Sequence, residues 1–388
     1  MELRVSDKVL GGDNPCFIVA EIGQNHQGDV NLAKDLILKA KDCGVDCVKF
    51  QRSNLNAKFT KSALYKPYNS SNSFGATYGD HKRFLEFSDE DFKELKSYSE
   101  ENGLIFSASA MDEVSLEELL GMGVPFVKIG SGDSNNFPLL IKARDSGRPL
   151  IISTGMRNQE TIERIYSLMD NKPFGLLHCV SAYPTAPQDA NLQLIREYQN
   201  QFPKAIIGYS GHEIGQTISL AAVAMGAKIL ERHFTVDRAL KGSDHKCSLE
   251  PQEMAELVIN VRKLEGFLKG TKLYESCEII SALKTLGIVQ IRNSLEIQGI
   301  QEDLEKAMKG EKQRRLLQCE KDCFQKLGKS LVYSRDIDAN EVLTEKDLAI
   351  KVSQPKGLEP EIMDRIVGKT LYKSVQFETP VEDQHFQP

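Results

Sequence analysis

Two histidines in the second half of the chain have the positions expected of a pair of metal ligands. His212 follows a short apolar segment in GYSGH at 208–212, and His233 ends the next such segment in LERH at 230–233. Neutral imidazoles bind borderline divalent ions, and a metal with open positions polarises a carbonyl group. One histidine at a strand end is more often an ordinary polar residue. The pair on neighbouring strands predicts a divalent metal site.

Two lysines and four serines follow other apolar segments at equivalent places. They are Lys49, Lys128, Ser109, Ser131, Ser153 and Ser210. Ammonium groups, hydroxyls and the N-termini of the helices that follow all favour an anion. Any one serine could be a helix cap and either lysine a surface residue. The whole set predicts an anion site.

Two carboxylates, Glu21 and Asp133, occupy comparable positions. Close to a divalent ion each would stay ionised, so either could orient a sugar hydroxyl or take a proton from water. The sequence leaves open which of the two does so.

The segment 52–86 is long for a loop between barrel elements, and long loops at such positions are usually functional. It carries several basic residues: Lys58, Lys61, Lys66, Lys82 and Arg83. They could hold a second phosphate on a substrate, and a solvated charged loop is an equally good interpretation.

A short apolar segment followed by an amphipathic stretch repeats through 15–269. The residues named above, apart from those of the segment 52–86, lie at or near the ends of these apolar segments. The predicted strands are Phe17–Glu21, Cys47–Gln51, Ile105–Ser109, Phe126–Ser131, Leu150–Thr154, Gly175–Val180, Ala205–Ser210 and Lys228–His233. The predicted helices cover 29–42, 89–101, 113–121, 137–146, 158–169, 189–201, 215–225 and 251–268. Eight such units predict an α/β fold, a (β/α)8 TIM barrel, with a doubly wound sheet as the alternative. The polar residues would then converge at its C-terminal rim, and residues 2–13 would form a hairpin closing the opposite end.

The pattern changes after the predicted barrel domain, 1–269. Residues 270–325 are interpreted as a linker, with a helix predicted at about Gln301–Lys309. From 326 to 388, short segments separated by Gly, Pro and Asn turns predict a small β-rich domain.

Composition excludes several other classes of protein. The 388 residues are 40% hydrophobic and 27% charged, which is globular, and a net charge of −6 gives no basic excess for nucleic acid. The charged N-terminus lacks the apolar region of a signal peptide, and no apolar stretch is long enough for a membrane span. Eight cysteines fit reduced thiols, so we expect a cytoplasmic protein without a zinc site.

Taken together, the motifs resemble those of the sialic acid synthases. They include AEIGQNHQG at 20–28, KFQ at 49–51, KIGSGD at 128–133 and STGM at 153–156, with the two histidine motifs. The resemblance covers nearly all of 13–263 and resumes at about 304–380, where the last domain resembles the antifreeze-like (SAF, β-clip) module of that family. Several motifs are closest to the animal branch.

The resemblance implies a reaction. Phosphoenolpyruvate would bind at the lysines and serines, and the aldehyde of N-acetylmannosamine 6-phosphate would bind Mg2+ or Mn2+ on the two histidines. Condensation would give N-acetylneuraminate 9-phosphate and phosphate, with Glu21 and Asp133 handling the sugar and proton transfer. Sugar-binding residues would be Gln51, Ser181, Tyr183, Asp244 and, where bacterial relatives have a nearby arginine, Lys356. The resemblance also implies a domain-swapped homodimer.

Residues 265–303 depart from the family, which has no such segment between barrel and module. A longer tether would weaken the swap and could let the module cover its own barrel.

Three other functions stay open at this point. One is a synthase for the unphosphorylated sugar, or for the mannose-derived acceptor. Another is a homologue without catalysis, disabled by the insertion. The third is a Schiff-base aldolase that uses Lys49 or Lys128 as its nucleophile.

Overall fold

The computed structural model describes residues 1–170, 172–288 and 294–386. Its centre is a closed barrel of eight parallel strands in sequence order, the last pairing with the first. The strands are β1 (Glu2–Val5), β2 (Lys8–Gly11), β3 (Phe17–Gly23), β4 (Cys47–Arg52), β5 (Ile105–Ala110), β6 (Val127–Ile129), β7 (Leu150–Ser153), β8 (Phe174–Cys179), β9 (Ala205–Gly211), β10 (Ile229–His233), β11 (Ser330–Tyr333) and β12 (Leu348–Lys351). Strands β3 to β10 form the barrel, which confirms the predicted (β/α)8 fold.

The helices surround this barrel or lie in its loops. They are α1 (Val30–Asp42), α2 (Leu55–Lys58), α3 (Lys61–Leu64), α4 (Tyr78–Leu85), α5 (Asp89–Glu101), α6 (Glu113–Gly121), α7 (Phe137–Asp145), α8 (Gln159–Leu168), α9 (Pro187–Ala190), α10 (Gln193–Gln201), α11 (Thr217–Ala224), α12 (Pro251–Leu268), α13 (Ser276–Thr285), α14 (Ser294–Met308), α15 (Lys321–Leu327) and α16 (Met363–Ile366). Within the described ranges, no helix is long and apolar enough to cross a bilayer.

An N-terminal hairpin closes one end of the barrel, as predicted. Strands β1 and β2 pair antiparallel, and Leu3, Val5 and Leu10 are buried against the inward-facing side chains of the barrel strands, such as Phe17 and Phe126. Burial of three aliphatic side chains contributes roughly 1.5–3 kcal/mol each. This end of the barrel is filled by apolar side chains.

The segment interpreted as a linker is largely helical, and it packs on the barrel. Ile279 and Leu283 lie one turn apart on α13, and Leu304 and Ala307 lie on one face of α14; all four are fully buried in the main core. The Leu192 amide donates to the Ala307 carbonyl at 2.7 Å. The segment is therefore an extra helical pair on the barrel surface, although residues 289–293 of it lie outside the described residues.

The chain then runs across the open end of the barrel to the C-terminal domain. Glu320 is fully buried, forms an ion pair with Arg314, and accepts hydrogen bonds from the Met156 and Ser181 amides at 2.8 and 2.9 Å. These bonds fix α15 against the loops that follow β7 and β8.

The C-terminal domain has its own small core around β11 and β12, which includes Leu331, Tyr333 and Ile350. Its regular strands are fewer than the turn pattern suggested, because much of the rest pairs through isolated bridges. One bridge joins Val352 to Phe59 of the barrel loop. The domain thus covers the barrel of its own chain.

Candidate active site

A cavity of about 530 Å³ opens at the C-terminal ends of the barrel strands. It is lined by every site residue inferred from the sequence except Lys356: Glu21, Lys49, Gln51, Ser109, Lys128, Ser131, Asp133, Ser153, Ser181, Tyr183, Ser210, His212, His233 and Asp244. Parallel strands end at one rim of a barrel, and this is why residues more than 200 positions apart in the chain meet here.

The base of the cavity holds two lysines and two carboxylates in mutual contact. Lys49 forms an ion pair with Glu21 and lies 3.6 Å from Glu231, and Lys128 lies 3.8 Å from Glu231. The Lys49 ammonium also donates to the Ser109 hydroxyl at 3.0 Å. We name these four charged residues, Glu21, Lys49, Lys128 and Glu231, the deep cluster.

Further hydrogen bonds hold the deep cluster in place. Lys128 donates to the Ser153 hydroxyl at 2.8 Å, and the Gln51 amide donates to Glu21 at 2.9 Å. Ser210 donates to Glu231 at 3.3 Å. Because these partners fix each charge, the cations are oriented before any anion arrives.

Burial and neighbouring charges set the ionisation of the deep cluster. Burial raises the pKa of Glu21, and Lys49 offsets only part of that effect. Burial works against the charge on Lys49, but Glu21 and Glu231 outweigh it and raise its pKa. For Glu231, Lys128 and Lys49 outweigh burial and lower the pKa to about 2. Lys49 and Glu231 are therefore charged at neutral pH, and Glu21 is the carboxyl best placed to exchange a proton.

The two histidines face each other above the deep cluster. Their ring centroids are 5.3 Å apart, and Tyr183 packs on His212 at 4.1 Å. The His212 Nδ1–H group donates to the Val180 carbonyl at 2.8 Å, so in the neutral imidazole the Nε2 atom keeps a lone pair. The buried Nδ1 atom of His233 has no hydrogen-bond partner and lies 4.0 Å from Asp244.

This arrangement fits two ligands of a divalent ion. An orphaned buried imidazole nitrogen beside a second imidazole is a donor set that a borderline metal would satisfy. Among the described residues, no group of three or more His, Cys, Asp and Glu side chains is arranged to hold a metal. Water and substrate oxygens would have to complete the coordination, and the metal stays a prediction.

Asp133 is held by the C-terminal domain. It lies in the short turn after β6, and the Lys329 ammonium approaches its carboxylate to 3.0 Å. Both side chains are almost fully buried. A residue of the covering domain thus contacts a wall of the cavity directly.

Lys356 was expected at the sugar site, and the structure places it elsewhere. Its ammonium donates to the Gly328 carbonyl, which turns it away from the cavity. Lys329, which the sequence analysis did not single out, is the lysine of this domain that reaches the wall.

Three other cavity residues had no definite role assigned to them from the sequence. Glu231 alternates with His233 on β10, so a period of two already places both on the inner face. Lys58 and Lys82 line the outer part; they are two of the five basic residues of 52–86 that were considered for a second phosphate, and the sequence pattern did not distinguish them from the other three.

The fold and cavity define a class: a barrel enzyme whose cavity holds paired lysines and carboxylates and is covered by a small β domain. Comparison with known proteins agrees. Residues 36–272 match the NeuB family model, and residues 328–387 match the SAF domain.

Named relatives extend along the whole chain. N-acetylneuraminate-9-phosphate synthase of Mus musculus is 46% identical over 97% of this chain and 94% of its own. The spore coat polysaccharide biosynthesis protein spsE of Bacillus subtilis superposes with a TM-score of 0.75 at 26% identity, covering 100% and 99% of the two chains. The N-acetylneuraminic acid synthetase of Leptospira borgpetersenii, solved with citrate, gives 0.61 at 37% identity, covering 74% and 97%.

The chain belongs to the NeuB family. The resemblance to sialic acid synthases read from the motifs is thereby confirmed, as is the presence of a SAF domain.

Proposed function

We propose that this protein condenses phosphoenolpyruvate with N-acetylmannosamine 6-phosphate, giving N-acetylneuraminate 9-phosphate and phosphate. The observation that carries the proposal is the deep cluster, two oriented lysines with serine hydroxyls directly below two facing histidines. The name of the 46% identical mouse relative supports the same reaction.

In this proposal, the deep cluster holds phosphoenolpyruvate. Lys49 and Lys128, with the serine hydroxyls around them, receive its charged groups and aim carbon three at the acceptor aldehyde. Charge-assisted hydrogen bonds from fixed donors are stronger than neutral ones, and they need no rearrangement during the reaction.

His212 and His233 would hold the metal, Mg2+ or Mn2+, which when bound would supply Lewis-acid polarisation of the aldehyde. Tyr183, Ser181, Gln51 and Asp244 would position the sugar around it. The Ser181 hydroxyl is buried without a hydrogen-bond partner, so it has a donor to offer a ligand.

The bonds change in two stages. The π electrons between carbons two and three of phosphoenolpyruvate form the new bond to the aldehyde carbon, and the carbonyl π pair moves to the aldehyde oxygen, which takes up a proton. This leaves a cation at carbon two. Water then adds to carbon two, and the adduct loses phosphate by cleavage of its C–O bond. Glu21, whose pKa burial raises, is placed to take the proton that water gives up.

The test is phosphate release after treatment with a chelator. We expect release only when Mg2+ or Mn2+ is restored together with phosphoenolpyruvate and N-acetylmannosamine 6-phosphate. His212→Ala should lose at least about 100-fold in kcat, as removal of a main electrostatic contributor does. Release that is unchanged by the chelator and by this substitution would contradict the metal site.

Further parts of the proposal concern assembly and location. The family resemblance implies a domain-swapped homodimer in the cytoplasm, whereas the covering domain here contacts its own barrel. Mixing two differently inactivated subunits would distinguish the two arrangements.

A further inference from the structure

Two lysines at the outer part of the cavity lack a carboxylate partner. Lys58, at the end of α2, is only 3% exposed, and its ammonium lies 2.7 Å from the Met111 thioether, a weak acceptor. Lys82, on α4, is partly buried and donates to the Gln24 side-chain oxygen at 2.7 Å. Within the described ranges, neither ammonium has a carboxylate oxygen within 4.0 Å, whereas Lys49 and Lys128 both do.

The carboxylates nearest to these two lysines are engaged elsewhere. Asp133 forms its ion pair with Lys329. Glu86 accepts from the Ser53 hydroxyl at 2.6 Å, and burial raises its pKa, which favours the neutral acid. Within the described ranges the outer lysines thus have no carboxylate partner at contact distance, and the longer-range attraction of Asp133, Glu86 and Asp244 offsets the effect of burial only in part.

Electrostatics agree with this geometry. Burial lowers the pKa of Lys58 to about 8; Lys82 and Lys329 lower it further, and Asp133 and Glu86 offset part of this effect. Burial also lowers the pKa of Lys82; Glu86 and Asp244 offset part of this effect, and Lys326 adds to it. Keeping the two ammonium groups close together and partly shielded from water costs free energy. An anion bound between them would offset this cost.

The loop holds the two lysines rigidly. Thr77 and Asp80 form a capping box at the start of α4, and Tyr78 packs edge-on against Phe59 and Tyr68 at 5.6 and 5.2 Å. By contrast, the neighbouring Lys61, Lys66 and Arg83 are exposed and do not line the cavity. The sequence pattern does not distinguish among the five basic residues of this loop. Packing places two of them in the cavity and leaves the other three exposed to solvent.

We propose that Lys58 and Lys82 form a second anion subsite, which takes the phosphate dianion of a phosphorylated acceptor sugar. This inference rests on the proposed function, since it assigns the acceptor's phosphate to the outer part of the same cavity. Phosphoenolpyruvate, held by the deep cluster, does not use the subsite. Two ammonium groups without counter-charges match the two charges of a phosphate monoester.

The test compares Lys82→Met with Lys66→Met, the exposed lysine of the same loop. Both enzymes receive N-acetylmannosamine 6-phosphate or the free sugar at saturating phosphoenolpyruvate. For Lys82→Met we expect kcat/KM to fall roughly 10- to 100-fold with the phosphorylated acceptor only, the usual effect of losing a charged hydrogen bond. The KM for phosphoenolpyruvate should stay within about twofold, and Lys66→Met should match the wild type.

Lys58→Met provides a second route if Lys82→Met folds poorly, and it should show the same preference. An equal fall with both acceptors, or no fall with either, would overturn the subsite. So would a wild-type enzyme that prefers the free sugar, although condensation itself would then still stand.

Failure of the proposed function gives a different result, because then no acceptor supports phosphate release. In that case, calorimetric titration of mannose 6-phosphate into the wild type, Lys82→Met and Lys66→Met decides. Weaker binding by Lys82→Met alone would support the subsite, and equal binding by all three would overturn it.

Discussion

The inner and outer halves of the cavity are both rich in lysine, but they treat charge in opposite ways. In the deep cluster, Lys49 and Lys128 are matched by Glu21 and Glu231. In the outer half of the cavity, the Lys58 ammonium contacts a thioether and the Lys82 ammonium donates to an amide oxygen. Among the described residues, neither has a carboxylate oxygen within 4.0 Å. The inner lysines are held in position by carboxylates of the protein, whereas the outer lysines are proposed to pair with a bound ligand.

This difference has an energetic meaning. Removing one member of a buried ion pair leaves an uncompensated charge and typically costs about 3–5 kcal/mol. Removing an unpaired buried lysine relieves a desolvation cost. The inner lysines should therefore be essential to both folding and catalysis. The outer lysines should determine which acceptor binds, and they should lower the free energy of unfolding.

The largest effect should come from Lys128→Met. It leaves Glu231 with one cation and removes a donor from the anion site, so kcat/KM should fall roughly 100- to 1000-fold with either acceptor. Steady-state phosphate release measures this.

Lys142→Met is the matched control, because Lys142 is an exposed lysine paired only with Glu117. It should behave as the wild type does. If Lys128→Met lost activity with the phosphorylated acceptor alone, the inner lysine would act as the outer ones are proposed to act. That result would contradict the proposed difference between the two halves of the cavity.

A smaller effect should follow from Lys329→Glu, which sets a carboxylate against Asp133. The buried ion pair between the SAF domain and the cavity wall becomes a repulsion, and kcat should fall roughly 30-fold. Lys346→Glu, at an exposed position of the same domain, should have no such effect.

Mixing this variant with His212→Ala shows which barrel the domain serves. With the domain on its own barrel, each chain carries one defect in its only site, so co-expressed chains should be no more active than the better single variant. Recovery to about a quarter of wild-type activity would instead demonstrate the swapped homodimer.

The smallest effect concerns pH. Lys58 is charged below its pKa of about 8 and neutral above it, and its titratable neighbours are Lys82, Lys329, Asp133 and Glu86. Raising the pH from 7 to 8.5 should increase KM for the phosphorylated acceptor about fourfold, as the charged fraction of free enzyme falls. KM for the free sugar should not change, and Lys58→Met should show no such rise; a parallel rise for both sugars would assign the effect to another group.

The barrel and most of its rim residues could be predicted from the sequence, because each strand and its polar end residue can be recognised from a few neighbouring positions in the chain. Glu231 was within reach of the same logic, since it shares the inner face of β10 with His233. Local pattern also predicted the closing hairpin.

Long-range packing could not be predicted in this way. Lys329 and Lys356 have the same chemistry, and only the docking of the SAF domain puts the first at Asp133 and the second on a backbone carbonyl. Similarly, Ile279 and Leu304 belong to a segment interpreted as a tether, but the apolar surface they meet on the barrel fixes it as helices.

The hairpin that fills the far end of the barrel has a consequence for the traffic of substrates. Because Leu3, Val5 and Leu10 pack against the inner side chains of the barrel at that end, we expect substrates to enter the cavity from the rim that α15 and the SAF domain cover. If the sugar binds between this entrance and the deep cluster, as proposed, it should block the entry and exit of a molecule bound to the cluster. Turnover should then be ordered, with phosphoenolpyruvate first and the acceptor second, and an unreactive acceptor analogue should trap phosphoenolpyruvate inside.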